Sequence, residues 1–137
     1  MQNYDRSGQL SEERVIDQIV IECNRRMPLE IAKATTAMYA RSSTNYPNSV
    51  ADQVSSMCKI AERERLFVAR ELVFTDFASS GTSDRRPGLV ALETALRAGE
   101  AEIVIVERTS RLFRRTKLAF KFIGEAVARG ARFICPL

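Results

Sequence analysis

The chain contains no histidine and no tryptophan. Without histidine there is no ordinary general base for neutral pH and no commonest metal ligand, so a Ser-His-Asp triad and a histidine-based zinc site are both excluded. Any nucleophile here needs another activator. Cysteine is scarce and odd in number: Cys23, Cys58 and Cys135 stand far apart in sequence among apolar neighbours. That is the pattern of small core residues in a reducing compartment, and it argues against a disulfide framework. No apolar run reaches membrane-spanning length, and the polar start Met1-Gln2-Asn3-Tyr4-Asp5-Arg6 lacks a secretory hydrophobic segment. The expectation is a cytoplasmic protein with no membrane partner. Two phosphate-binding signatures, GxxxxGK[ST] and GxGxxG after a strand, are also missing, which lowers nucleotide binding in rank. Asp76 with Glu107 is too thin a carboxylate set for two metal ions, so neither a metal nor any other cofactor is expected.

What the chain does have is enough apolar content, 45% of 137 residues, for one ordinary core. Its net charge is +4 with a pI near 9.2, and the basic residues are mostly arginine. Arginine favours bidentate phosphate recognition over a merely solvated cationic surface, which makes nucleic acid a candidate partner. On charge alone, a simple solubility role explains the balance equally well. Position along the chain has to decide.

Ser11 with Glu12 and Glu13, then Val15, Ile16, Ile19, Val20, Cys23 and Met27, predict an amphipathic helix within a segment 1–34. Acids open it, Arg25 and Arg26 close it in agreement with the helix dipole, and Pro28 ends it. Its apolar face is expected to pack on the main domain, 35–137, in preference to a partner helix. Thr36 to Tyr39 reads as a buried strand running into a turn-rich loop, and Ser49 as the N-cap of a helix burying Val50, Val54, Met57, Cys58 and Ala61. Arg63-Glu64-Arg65 forms its solvated end. Phe67 to Phe74 reads as a second strand and Asp76 to Arg86 as a loop. Pro87 then starts a helix with Leu89, Leu92 and Leu96 buried and Gly99 as its stop. Ile103 to Val106, unalternating and β-branched, reads as a central parallel strand. A loop from Glu107 to Arg115 follows, then a helix with Leu118, Phe122, Ile123 and Val127 inward, closed by Gly130, and a last strand from Arg132 to Cys135. Strand and helix alternate throughout. The fold class is therefore α/β, in three layers, with a mostly parallel four-stranded sheet and an extra N-terminal amphipathic helix.

In such a sheet, ligands bind beyond the carboxyl ends of the strands, so the loops after the first three strands share one face. The first offers Arg41 and Ser43, which project to the same side as Tyr39 on a period of two. The second offers Ser80, Gly81 and Arg86. The third offers Arg108, Arg111, Arg114 and Arg115, read as cations with no acid among them. Arginines around a hydroxyl suit phosphoryl transfer, in which positioning and charge neutralisation supply most of the catalysis. Serine is then the nucleophile. Tyr39 is read as a structural aromatic at the strand end, and Asp76 as a loop acid that orients an arginine.

The same residues carry a family resemblance. Tyr39-Ala40-Arg41-Ser42-Ser43-Thr44, followed by Ser49-Val50-Ala51-Asp52-Gln53, resembles the opening of the catalytic domain of serine site-specific recombinases, the resolvases and DNA invertases. Asp76 to Leu89 resembles that family's D-x-G-x-S-G-x-x-x-x-R-P-G-L segment, and Val106 to Arg114 its V-x-x-x-D-R-L-x-R segment. The match spans roughly Thr35 to Leu137 and implies a resolvase-like fold. It also implies that Ser43 attacks a DNA phosphodiester, giving a 5'-phosphoseryl enzyme and a free 3'-hydroxyl without metal or nucleotide. Arg41, Arg86, Arg111 and Arg114 match the arginines around the scissile phosphate, and Gln53 and Ser80 match supporting polar positions. Arg108 and Arg115 are assigned to the DNA backbone or solvent. Dimers and a strand-exchanging tetramer are implied for the full-length form.

Three departures accompany the match. Ser110 stands where the family usually has aspartate, Ala78 stands where it usually has glycine, and the chain stops where the family continues into a dimerisation helix and a DNA-binding region. The early stop and Ser110 motivate the competing reading of a catalytically silent remnant or regulatory fragment. A third reading is electrostatic DNA binding without chemistry.

Overall fold

A β-branched run, four helix-period stripes and a pair of glycine stops produce nine elements in the computed structural model, which describes residues 6–25, 27, 35–42, 49–77, 86–113 and 115–136. In order they are α1 (Arg6–Arg25), β1 (Thr36–Arg41), α2 (Val50–Arg63), β2 (Val68–Asp76), α3 (Pro87–Arg97), β3 (Ile103–Val106), α4 (Thr109–Leu112), α5 (Thr116–Ala128) and β4 (Arg132–Ile134). The sheet order is β2-β1-β3-β4 and every pair is parallel. The β-branched Ile103–Val106 strand lies inside the sheet, as its lack of alternation predicts.

Alternation along β1 divides the core in two. Met38 and Ala40 face α1 and α2, where they meet Ile16, Val20, Cys23, Val54, Met57 and Ile105. Ala37 and Tyr39 face the other layer, with Leu89, Leu92, Leu96, Val104, Val106 and Leu112. Helices therefore cover both faces of the sheet, the arrangement a parallel sheet requires. No helix among the described residues is long and apolar enough to cross a membrane.

The helix ends follow their chemistry. Ser49 caps α2 by accepting from the Asp52 N–H at 3.1 Å. Gly99, at φ 75°, closes α3 with Glu100 N–H bonded to the Ala95 carbonyl, a left-handed ending that glycine adopts freely. Arg65, at φ 58°, makes the same ending after α2 with a side chain attached. Its N–H bonds the Glu62 carbonyl, and the Leu66 N–H bonds that of Ala61.

Several expectations are corrected. Helix α1 begins at Arg6, before Ser11, so its first turn holds no acid and Glu12 and Glu13 lie further along it. Val15 is 49% exposed, and the buried stripe is Ile16, Val20 and Cys23. The predicted loop 107–115 contains the one-turn helix α4. On α5, Leu118 and Val127 are exposed while Ala119 and Ala126 are buried. Small residues let this helix approach the sheet closely, with Phe122 and Ile123 filling the flanks. Cys23 and Cys58, far apart in sequence, meet between α1 and α2, where the Cys23 thiol lies 3.6 Å from the Cys58 carbonyl. Arg26 and Pro28 lie outside the described residues.

The added helix packs within the molecule. Its Glu12 carboxylate accepts the Ala51 N–H at 2.7 Å, in the first turn of α2, and Asp17 pairs with Arg70 of β2. Near the end of α1, the Asn24 side chain donates to the Val68 carbonyl at 2.7 Å and accepts the Val68 N–H at 2.9 Å.

Candidate active site

The register brings three strand ends to one edge. Arg41 is level with Asp76 of β2, and Tyr39 with Val106 of β3. One further ladder-like bond, Ser42 N–H to the Asp76 carbonyl at 3.0 Å, carries β1 to the point where the chain departs toward Ser43. Ser43, Ala78, Ser80, Gly81 and Arg114 lie outside the described residues.

Arg41 is held at its backbone and at its head. Gln53, fully buried on α2, accepts the Arg41 N–H at 3.1 Å and donates to the Arg41 carbonyl at 2.8 Å. A side-chain amide thus pairs with the last residue of β1 as a neighbouring strand would. The guanidinium donates to the Ser110 carbonyl at 3.0 Å. At Ser110 the arginine contact therefore runs through the backbone, which an aspartate would supply equally, so this departure does not remove it.

Arg86 sits between two aromatic rings, 5.5 Å from the Tyr39 centroid and 5.3 Å from that of Phe113. Cation–π attraction adds to its hydrogen bonds, 3.0 Å to the Tyr39 hydroxyl and 2.7 Å to the Arg111 carbonyl. The Tyr39 hydroxyl in turn donates to Asp76 Oδ2 at 2.5 Å. Asp76 also accepts the N–H groups of Gly88 and Leu89, at 2.7 and 3.0 Å. Asp76 is therefore the last residue of β2 and the cap of α3, since the N-cap residue Arg86 makes no side-chain cap bond. The orienting role expected of Asp76 runs through Tyr39, because the phenol stands between carboxylate and guanidinium. Burial, then the bond to Asp76, push the Tyr39 phenol well above its ordinary value and keep it protonated. Gly88 is required at this junction, because a Cβ there would lie 2.4 Å from the Thr75 carbonyl oxygen.

The third loop corrects the expectation of cations without an acid. Arg111 is 2% exposed, and its Nη2 donates to Glu107 Oε1 at 3.3 Å. Residues four apart meet here because α4 turns the chain just after β3. Arg108 and Arg115 are exposed at the N-caps of α4 and α5. Of the sequence-derived candidates, Arg41, Arg86, Arg111, Gln53 and Ser110 come together. Tyr39 and Asp76 join them as positioning groups, and their signal in the sequence was a tyrosine and an acid at adjacent strand ends.

Comparison with known proteins accords with this geometry. The family model described as "Resolvase, N terminal domain" matches residues 36–136. Among solved structures, the N-terminal catalytic domain of TP901-1 integrase is similar at a TM-score of 0.61 and 25% identity, covering 73% of this chain and 75% of that one. The C-terminal catalytic domain of ISC1926 TnpA, an IS607-like serine recombinase, shares the fold at a TM-score of 0.58 and 24% identity, over 73% of this chain and 68% of that one. A comparison with curated protein sequences gives no match. With a parallel four-stranded sheet, three strand ends brought to one edge and a family match over most of its length, this chain belongs to the resolvase N-terminal domain family.

Proposed function

We propose that this chain cleaves and rejoins DNA strands in site-specific recombination. The observation that supports this most is the convergence of Arg41, Arg86 and Arg111 at the carboxyl edge of the sheet, with Arg41 two residues before Ser43 in the chain. In this reading the Ser43 oxygen attacks a backbone phosphorus. The Oγ–P bond forms as the P–O3' bond breaks, and the serine proton ends on the 3'-hydroxyl. The product is a 5'-phosphoseryl enzyme, so the energy of the diester is kept and rejoining is the same step reversed. Arg41, Arg86, Arg111 and Arg114 neutralise the charge that spreads over the phosphoryl oxygens. Gln53 holds the Arg41 backbone, the Ser110 carbonyl holds its head, and Ser80 supports the same site. Arg108 and Arg115 contact flanking phosphates, which position the duplex without reading its sequence. DNA is the substrate, and the protein works as a dimer that pairs into a tetramer.

The test is a nicked suicide substrate carrying a cognate site, incubated with the protein and resolved under denaturing conditions. A covalent protein–DNA adduct that Ser43→Ala abolishes is the expected result. Failure to form an adduct on any cognate site would sink the enzymatic reading.

A further inference from the structure

The three described arginines of the site all take oxygens from one short stretch of chain. Arg41 donates to the Ser110 carbonyl, Arg86 to the Arg111 carbonyl and Arg111 to the Glu107 carboxylate. The first two contacts are to neutral backbone. The third is an ion pair, with side chains 3% and 15% exposed, so the positive charge of Arg111 is cancelled inside the protein. A carboxylate offers a guanidinium what a phosphate offers it: paired oxygens and a negative charge matched to a planar fork.

We propose that Glu107 is an internal stand-in for a substrate phosphate on Arg111, so that DNA must displace this carboxylate to engage the third arginine. The identity of the substrate rests on the recombinase reading above. Because Arg111 is buried, the exchange requires the α4 turn to lift. That turn is a single one, closed by Arg111 N–H to the Arg108 carbonyl and Phe113 N–H to the Thr109 carbonyl. Its lifting also withdraws the carbonyls of Ser110 and Arg111, so Arg41, Arg86 and Arg111 become available together. Glu107 therefore holds the free chain in a closed state in which the charge of Arg111 is neutralised. If Glu107 instead merely positioned Arg111 for catalysis, its removal would weaken both binding and chemistry.

Glu107→Gln in the whole chain separates the two. Binding of a fluorescein-labelled duplex is measured against salt in a Ser43→Ala background, and adduct formation on a suicide substrate is measured with Ser43 intact. Binding about five-fold tighter than without the substitution is expected, the scale of one lost ion pair. The slope of log affinity against log salt should steepen by about one. Adduct should form faster. Affinity and adduct rate unchanged or lowered in a folded variant overturn the proposal, and if wild type still forms a Ser43-dependent adduct the recombinase reading survives. Tighter binding with no adduct from any variant leaves the exchange standing and removes the recombinase. No binding by either protein overturns both. If Glu107→Gln fails to fold, hydrogen exchange decides in the wild type: the amides of Arg111 and Phe113 should exchange faster with duplex present, and unchanged or slower exchange overturns the proposal.

Discussion

Replacing Tyr39 with phenylalanine removes one oxygen from the middle of the Asp76–Tyr39–Arg86 chain and leaves the ring in place. Tyr39 is fully buried, so no water substitutes for the lost hydroxyl. Asp76 keeps its bonds to Gly88 and Leu89, and Arg86 keeps the Arg111 carbonyl and both aromatic contacts. The loss is therefore one hydrogen bond to a carboxylate and one from a guanidinium, partly compensated. About 2 kcal/mol at neutral pH is the expected cost, read from urea unfolding with an unchanged slope. The pH dependence adds a second test. The folded-state phenol is held above its ordinary value near 10, so the native chain keeps a proton that the unfolded chain releases. Between the two values the unfolded state binds fewer protons, and stability falls as pH rises. At pH 11 this group alone removes on the order of 1 kcal/mol from the wild type and nothing from Tyr39→Phe. The difference between the two proteins should thus shrink from about 2 to about 1 kcal/mol, other titrations cancelling because both share them. A cost below about 0.5 kcal/mol at neutral pH, or a difference undiminished at pH 11, would refute the reasoning.

Gln53→Leu keeps volume but strands the Arg41 N–H and carbonyl, so unfolding should show a loss of about 3 kcal/mol, and the adduct assay a slower rate. Arg65→Gly relieves a left-handed residue of its Cβ, and chemical denaturation should register a gain of about 0.5–1 kcal/mol.

Much of the architecture was legible because it rests on local chemistry. The Ile103–Val106 bounds were readable from β-branching, the α2 start from Ser49 and the α3 stop from Gly99. The shared edge of the strand ends followed from strand and helix alternation, since parallel connections return each strand to the same end. The misses have physical causes. The α5 face was misread because hydrophobicity marks Leu118 and Val127, whereas close packing on the sheet selects Ala119 and Ala126. Arg65 carries no signal, because a left-handed arginine is tolerated only where tertiary packing requires the ending. The Tyr39–Asp76–Arg86 chain joins residues 37 and 47 positions apart and appears once the strands are in register. The pairing of Glu107 with Arg111 has no sequence signal because it depends on α4, a single turn too short to show a period.

The two bonds between Asn24 and Val68 also bear on how the protein behaves in a crowded solution. Among the described residues β2 is an edge strand of nine residues, and such an edge is a template on which a second chain can extend the sheet. The amide of Asn24 has the same donor and acceptor as a peptide group, and it fills the first position of that template. Two residues on, the Asp17–Arg70 pair sets charge beside it. The helix ahead of the family's fold thus closes the start of this edge to a second chain, and its removal would open that position to strand pairing.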